Sequence, residues 1–498
     1  MKKHFFLFFS IVLLATAFFS GGCRKEKLSN GNISFSTDTL TFDTVFVTFG
    51  STMRSFKVFN NNNKAIVIND IRLMRLVGQQ FRINVDGVFG DQFTNVEIPA
   101  KDSIYVFVEV TVNPNDQTSP YVIIDDVVFS YGSKAATVHL QAFGQNAHFH
   151  YGEEIQNGET KNWNSDLPHV IVSKGDVPGV HVHCGGTLNI KPGCKIFFAG
   201  NSAIFVEGAL YAEAQMWSDS IVFQGARLEP YYNDKPGQWF GIVFLRDTNN
   251  SSACAPQAVF NHCIINESSY GLYAGAGLTT DINKYTGVSG RPEVTIKNSI
   301  IKNSLYNTLY GFNAKMSAEN SLFHTAGEHL IKIGLGGEYN FYHCTMVNTG
   351  SRFVNHKKES LLLSNLVAVN NSVVYEEKLQ TTFANCIVYG SMENEIAFSK
   401  TATSGPSEFD NKFSYTLMKT KSDTLAMFST VNNQNLFNQD PRFKEPEKGN
   451  YTPSDSSGYF SPAIDYAPSG LLLDIFGNPR KDKLQNGKVY DIGAIETQ

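Results

Sequence analysis

Ile296-Lys297-Asn298-Ser299-Ile300-Ile301 is echoed by Ala318-Glu319-Asn320-Ser321-Leu322-Phe323 and again by Phe341-Tyr342-His343-Cys344-Thr345-Met346. Phe260-Asn261-His262-Cys263-Ile264-Ile265 precedes the series, and Leu363-Ser364-Asn365-Leu366-Val367-Ala368, Phe383-Ala384-Asn385-Cys386-Ile387-Val388 and Phe413-Ser414-Tyr415-Thr416-Leu417-Met418 extend it. The fourth position runs 299, 321, 344, 366 and 386, in steps of 22, 23, 22 and 20. Self-similarity at such a period marks a solenoid, in which each repeat buries its apolar face only by stacking on the next. Short apolar strands stacked coil on coil, about 4.8 Å apart, make a parallel β-helix. A leucine-rich horseshoe has a similar period, but these stretches lack its Leu-x-x-Leu-x-Leu frame.

Asn298, Asn320, Asn365 and Asn385 recur one place before the fourth position, with His262, His343 and Tyr415 in the same place. A sharp bend between strands needs a left-handed residue, which Asn tolerates, and stacked amides hydrogen-bond along the axis. The two histidines therefore read as turn residues. Cys263, Ser299, Ser321, Cys344 and Cys386 read as an internal ladder of small side chains.

The entry to this region is Gly186-Thr187-Leu188-Asn189-Ile190-Lys191-Pro192-Gly193, followed by Val206-Glu207-Gly208-Ala209-Leu210. It resembles the entry of bacterial right-handed β-helix proteins. Ser461-Pro462-Ala463-Ile464-Asp465, Gly477-Asn478-Pro479-Arg480 and Asp491-Ile492-Gly493-Ala494-Ile495-Glu496 resemble the closing segment of the same proteins. The resemblance covers about 166 to 498, speaks for fold and not activity, and implies a segment placed to cover the end of the coils.

Upstream the period changes to two. Ile104, Val106, Val108 and Val110 alternate with Tyr105, Phe107, Glu109 and Thr111, which puts one face on a core. Further strands are expected at 40–48, 55–59, 65–73, 127–131 and 137–142, separated by turn clusters such as Asn60-Asn61-Asn62-Asn63. Short strands at this spacing read as a β-sandwich. Arg54-Ser55-Phe56-Lys57-Val58-Phe59-Asn60-Asn61 and Ile98-Pro99-Ala100 resemble immunoglobulin-like modules of the Hydin and major-sperm-protein type, which implies spacing or binding.

The N-terminus has Lys2 and Lys3, an apolar run from Phe5 to Phe19, and small residues before Cys23. That order is a secretory signal, too short to span a membrane. Ser20-Gly21-Gly22-Cys23 resembles the bacterial lipobox, with Ser20 where Leu is usual. The resemblance implies cleavage, lipid on Cys23 and, from Arg24 at the second mature position, the outer membrane at its periplasmic or outer face.

The expected organisation is signal 1–22, tether 23–32, sandwich 33–146, polar connector 147–166, right-handed parallel β-helix 167–435 and closing segment 436–498. The class is all-β throughout. A charge of −5 over 498 residues gives no footing for nucleic acid. Six cysteines follow Cys23; scattered over a large domain, they read as buried thiols, with Cys184 and Cys194 the pair near enough in sequence to bridge.

Two places have suitable chemistry. In register, Lys302 and His324 become neighbours on one face. Polysaccharide lyases on this fold take a uronate proton with Lys, Arg or His while a cation or calcium neutralises the carboxylate. No acidic cluster stands beside this pair, so calcium enters only under that reading and no other cofactor is expected. The second place is the insertion 227–239. Its Tyr231, Tyr232, Asp234, Gln238 and Trp239 match what sugar faces and hydroxyls require, unless Tyr231 and Trp239 fold back over the core. His181 and His183 share a strand face but have no third ligand at metal spacing, and the same holds for His148 and His150.

These observations favour a lipid-anchored, non-enzymatic module for adhesion or for binding extracellular polysaccharide. The alternatives are a lyase or glycoside hydrolase on the β-helix face, and a structural surface protein whose partner is another protein.

Overall fold

The computed structural model describes residues 27–28, 31–46, 51, 53–76, 79–113, 121–246, 254–275, 290–369, 373–401, 404–405, 407–421 and 434–498. The expected signal segment and Cys23 lie outside the described residues. The chain divides into two compact units, Met1–Asn146 and Ala147–Gln498. Among the described residues no helix is long and apolar enough to cross a membrane.

The first unit is a sandwich of two sheets. One has the order Lys27–Leu28, Ala65–Leu73, Tyr121–Tyr131, Lys134–Gln145, Thr39–Phe46, with Gln92–Ile98 also on Ala65–Leu73; the other runs Ile33–Phe35, Arg54–Asn60, Ser103–Val110, Phe81–Val85, Val88–Gly90. The period-two reading holds: Ile104, Val106, Val108 and Val110 are buried, while Tyr105 is exposed and Phe107 and Glu109 are half-buried. Asn60 explains why two separate motifs belong together. Its buried amide donates to the carbonyls of Lys64 at 2.9 Å, Ile98 at 3.0 Å and Pro99 at 2.9 Å, closing the asparagine turn at 60–63 onto the Ile98-Pro99-Ala100 turn.

The second unit is a parallel β-helix with three long faces of 11, 9 and 9 strands. Face one begins at His148–Tyr151 and includes Ile300–Ser304 and Leu322–Ala326; face two includes Gly179–Val182 and Ala203–Val206; face three includes Glu293–Lys297 and Ala314–Glu319. Between faces three and one sits the left-handed residue, with φ of +50° at His262, +45° at Asn298, +44° at Asn320, +50° at His343, +55° at Asn385 and +49° at Tyr415. The amides form the expected ladder: Asn298 Nδ2 donates to Asn261 Oδ1 at 2.9 Å and Asn320 Nδ2 to Asn298 Oδ1 at 3.4 Å. Inside, Ser299 Oγ accepts from the Cys263 backbone N–H at 3.1 Å and Ser321 Oγ from that of Ser299 at 3.3 Å. Phe341, Phe383 and Phe413 pair in register, with centroids 4.7 Å apart at each step. Fully burying each contributes about 1.5–3 kcal/mol.

Four expectations are corrected. Leu366 is not a rung: Leu361–Ser364 belongs to face two, and Leu366–Val369 forms an antiparallel hairpin with Val373–Glu376. The rung after Cys344 is Cys386, because Thr345 pairs with Ile387. The polar stretch 147–166 is no connector; His148–Tyr151, Glu153–Ile155 and Thr160–Trp163 form the first coil, each pairing with the coil after it. Cys184 bridges Cys254, 70 residues away, while Cys194 is a buried thiol. Lastly, the segment after 436 runs back along face one. Its Phe443, Tyr451, Ile475, Ile492 and Ile495 cover the outward-facing Leu322, Val347, Ile387 and Leu417. Those leucines and their neighbours are apolar on a face that a bare β-helix would leave wet, which is why the chain returns over them.

Candidate functional site

The outer surface of face one carries rows of side chains in register, one of them Asn266, Lys302 and His324. A flat ladder makes no pocket, but here three irregular pieces stand around it. Pro230, Asn233 and Asp234 come from the insertion, residues 349–353 from the turn after Thr345–Asn348, and residues 446–449 with Tyr451 from the returning segment. Together they enclose a cleft of about 840 Å³. The two places singled out in the sequence are therefore one site.

Asp234 joins them. Its Oδ1 receives Lys302 Nζ at 3.0 Å, Asn303 Nδ2 at 2.7 Å and Asn266 Nδ2 at 3.3 Å. Burial alone would raise this carboxyl, but the Lys302 ammonium and the donated hydrogen bonds outweigh it and hold Asp234 below the ordinary carboxylate value. Beneath it Glu267, at φ +68°, accepts the backbone N–H of Gly225 at 3.1 Å and of Asp234 at 2.8 Å. Desolvation pushes Glu267 up to about 7. Its bonds hold Gly225, just ahead of the inserted loop, and Asp234 within it to the coil.

Trp239 lies in the core: it is 1% exposed, its ring stacks 3.8 Å from that of Phe198, and its Nε1 donates to the Asn266 carbonyl at 2.8 Å. It pins the insertion and presents no face to a ligand, which corrects the sugar-contact reading. Gln238 is likewise internal to the loop, donating from Nε2 to the carbonyls of Tyr232 at 2.8 Å and Lys235 at 3.1 Å. Tyr232 lies between Arg227, 4.0 Å from its centroid, and Lys235 at 4.9 Å. Tyr231 is 63% exposed and meets Phe353 edge-on at 6.2 Å.

Lys302 and His324 are register neighbours. His324 is almost fully buried against Tyr451, with Nδ1 3.1 Å from Thr325 Oγ1, and desolvation brings its pKa to about 3. An imidazole that weakly basic is a poor proton acceptor at neutral pH, and Lys302 is held as an ion pair by Asp234. Lys297 and Glu319 form an exposed cross-strand pair at 3.7 Å.

Sequence reasoning missed Asn303, Arg352, Phe353, Tyr451 and Glu267. Asn303 follows Lys302 directly and sits at φ +52°; its type in that place was the available signal. Arg352 and Tyr451 reach the cleft only through tertiary folding, Arg352 Nη2 donating to the Asn233 carbonyl at 3.3 Å.

No family model matches the chain, and no curated protein matches it. Among solved structures it is similar to a family 123 glycoside hydrolase from Clostridium perfringens, with 8% identity over 24% of this chain and 30% of that one and a TM-score of 0.17. It is also similar to a PapD-like domain of human CEP192, with 15% identity over 25% of this chain and 90% of that domain and a TM-score of 0.17. The periplasmic chaperone SfaE gives 7% identity over 23% and 57% of the two chains, with a TM-score of 0.16. The chain spans less than a third of the glycoside hydrolase's length. Overlaps this partial carry no functional argument.

Proposed function

We propose that this chain is an exported lipoprotein, anchored at the outer membrane through Cys23, whose β-helix binds polysaccharide in the cleft over face one without catalysing its cleavage. The N-terminal module, akin to the Hydin and major-sperm-protein type, acts as the spacer. One observation carries the reading: a cleft of about 840 Å³ whose lining alternates amides, hydroxyls and ions of both signs with the rings of Phe353 and Tyr451. That mixture suits hydroxyl-rich ligands, which need fixed polar partners and some apolar surface. The arrangement favours binding over chemistry, because Lys302 is engaged in an ion pair with Asp234 and His324 is too weakly basic to abstract a proton.

The test is a glycan array with the intact chain, run beside an absorbance assay for unsaturated uronates. Binding to a defined polysaccharide is expected, weakened roughly tenfold or more in Arg352→Ala, the loss when a charge-assisted hydrogen bond worth about 1.5 kcal/mol is removed. Accumulating unsaturated product would replace this reading with a lyase. An array without signal would leave a protein partner.

A further inference from the structure

We propose that His181, His183 and Glu207 bind one divalent transition-metal ion of the zinc class on the outer surface of face two. The site is separate from the cleft on face one and stands or falls independently of the glycan reading.

The strand Gly179–Val182 buries Val180 and Val182 completely, so His181 and, one place past the strand, His183 point the other way. Their rings lie 3.9 Å apart. The third ligand was invisible in the sequence because it belongs to the next coil. Val182 pairs with Val206, so Glu207 arrives beside His183. Its Oε2 stands 3.6 Å from His181 Nε2 and 3.8 Å from His183 Nδ1. One donor atom from each of the three residues falls within 4.8 Å of the others.

Those separations are too long for hydrogen bonds and right for a shared ion. Good N–H···O bonds span about 2.7–3.2 Å. A tetrahedral ion bonded at about 2.0–2.1 Å spaces its donors roughly 3.3 Å apart. The His181 Nε2 atom is shielded from solvent and has no hydrogen-bond partner among the described residues. A buried, unsatisfied imidazole nitrogen calls for an explanation, and a metal ion supplies one. The histidine cluster on the first coil shows the alternative outcome. There His150 Nε2 and His169 Nδ1 meet at 2.9 Å, and His169 Nε2 is 2.8 Å from the Asn164 carbonyl, so these rings satisfy one another.

The donor set selects the ion. Two imidazoles and one carboxylate suit zinc and its neighbours, whereas calcium and magnesium prefer all-oxygen sites. Cys184, next to His183, is committed to the bridge with Cys254 and is not a ligand; it fixes the end of the strand that carries the histidines. Three protein ligands leave a fourth position for water or for a donor atom from outside.

The test uses the intact chain, stripped of metal by a chelator and titrated calorimetrically with zinc chloride, with calcium chloride in parallel. One zinc per chain is expected and no calcium at this site. Glu207→Gln, which keeps size and shape, and His183→Ala should each weaken zinc binding about 100-fold or more, at least the loss a supporting partner of a ligand causes. Melting curves of the metal-free variants separate lost metal from lost fold. Absence of stoichiometric zinc, zinc binding that survives both substitutions, or preference for calcium would each overturn the proposal.

Discussion

Arg480→Met should detach the returning segment from the coils. The guanidinium is fully buried. Its Nη1 meets Glu496 Oε2 at 3.1 Å and the Asp491 carbonyl at 3.0 Å; Nη2 donates to the Gly493 carbonyl at 3.0 Å and to Asn320 Oδ1 at 3.1 Å. One side chain thus ties residues 491–496 to a left-handed rung of the amide ladder. Methionine fills similar volume but leaves a carboxylate buried without its cation. Breaking a buried pair in this way costs about 3–5 kcal/mol. Desolvation, with Asp491 alongside, already raises Glu496 to about 7. A carboxyl raised in the folded state stabilises when protonated. That contribution is complete below its ordinary pKa and disappears as pH rises through about 7. Without Arg480 the carboxyl rises further, so the deficit at pH 8 should exceed that at pH 5 by at most about 1.4 kcal/mol, the free energy of the one pH unit between about 7 and 8. Urea titration followed by tryptophan fluorescence has one reporter at the event itself, because the Trp217 indole donates to the Ile475 carbonyl in the returning segment. Arg480→Met/Glu496→Gln should recover half or more of the loss, since no unpaired charge remains. A deficit below about 1 kcal/mol at pH 8, or a double variant no better than the single, would refute this reasoning.

Two further outcomes follow from the coils. Asn298→Ala should cost about 1–2 kcal/mol more than Asn298→Gly, because both lose the side-chain bonds to Asn261 and Asn320 but only alanine resists the left-handed conformation at φ +45°. Equal urea midpoints for the two would show that conformation is not what asparagine supplies. Cys184→Ser/Cys254→Ser opens a loop spanning 70 residues, for which chain entropy predicts a loss of about 4 kcal/mol. The measurement is the melting temperature of wild type and double variant, with and without reductant; reductant should lower only the wild type.

The β-helix was legible wherever coil length was regular. The rungs at Ser299, Ser321 and Cys344 are separated by 22 and 23 residues, and there spacing alone predicted the pairing of Lys302 with His324 and the left-handed turns. It failed where a coil was enlarged. Leu363-Ser364-Asn365-Leu366 imitates a rung in composition and arrives on schedule, yet the chain spends those residues on face two and a hairpin before resuming at Cys386. Asn365 has an ordinary backbone, unlike Asn298 and Asn320; periodicity cannot distinguish these when residue type is the same. The first coil was missed for a different reason. Its strands are three or four residues long and polar on the outside, so the stretch 148–166 reads as a linker until stacking is seen. Trp239 illustrates a third limit, since an aromatic in a polar loop looks the same in sequence whether it faces solvent or, as here, Phe198.

The cleft is walled by three departures from the repeat. A regular coil presents its outward residues as a nearly flat ladder, and Asn266, Lys302 and His324 on such a surface would be three polar groups in open water. Each departure from the repeat adds a wall: the inserted loop clamped by Glu267, the turn at 349–353, and the segment that returns to cover Leu322 and Val347. Covering those apolar residues is a stability requirement, but it also brings Tyr451 against His324 and gives the cleft that holds Asp234 and Lys302 one of its walls. Polar contacts made there by a ligand are stronger than the same contacts on an exposed ladder. The proposed recognition chemistry therefore resides in the parts that break the repeat, while the repeat supplies the rigid floor that holds them in place.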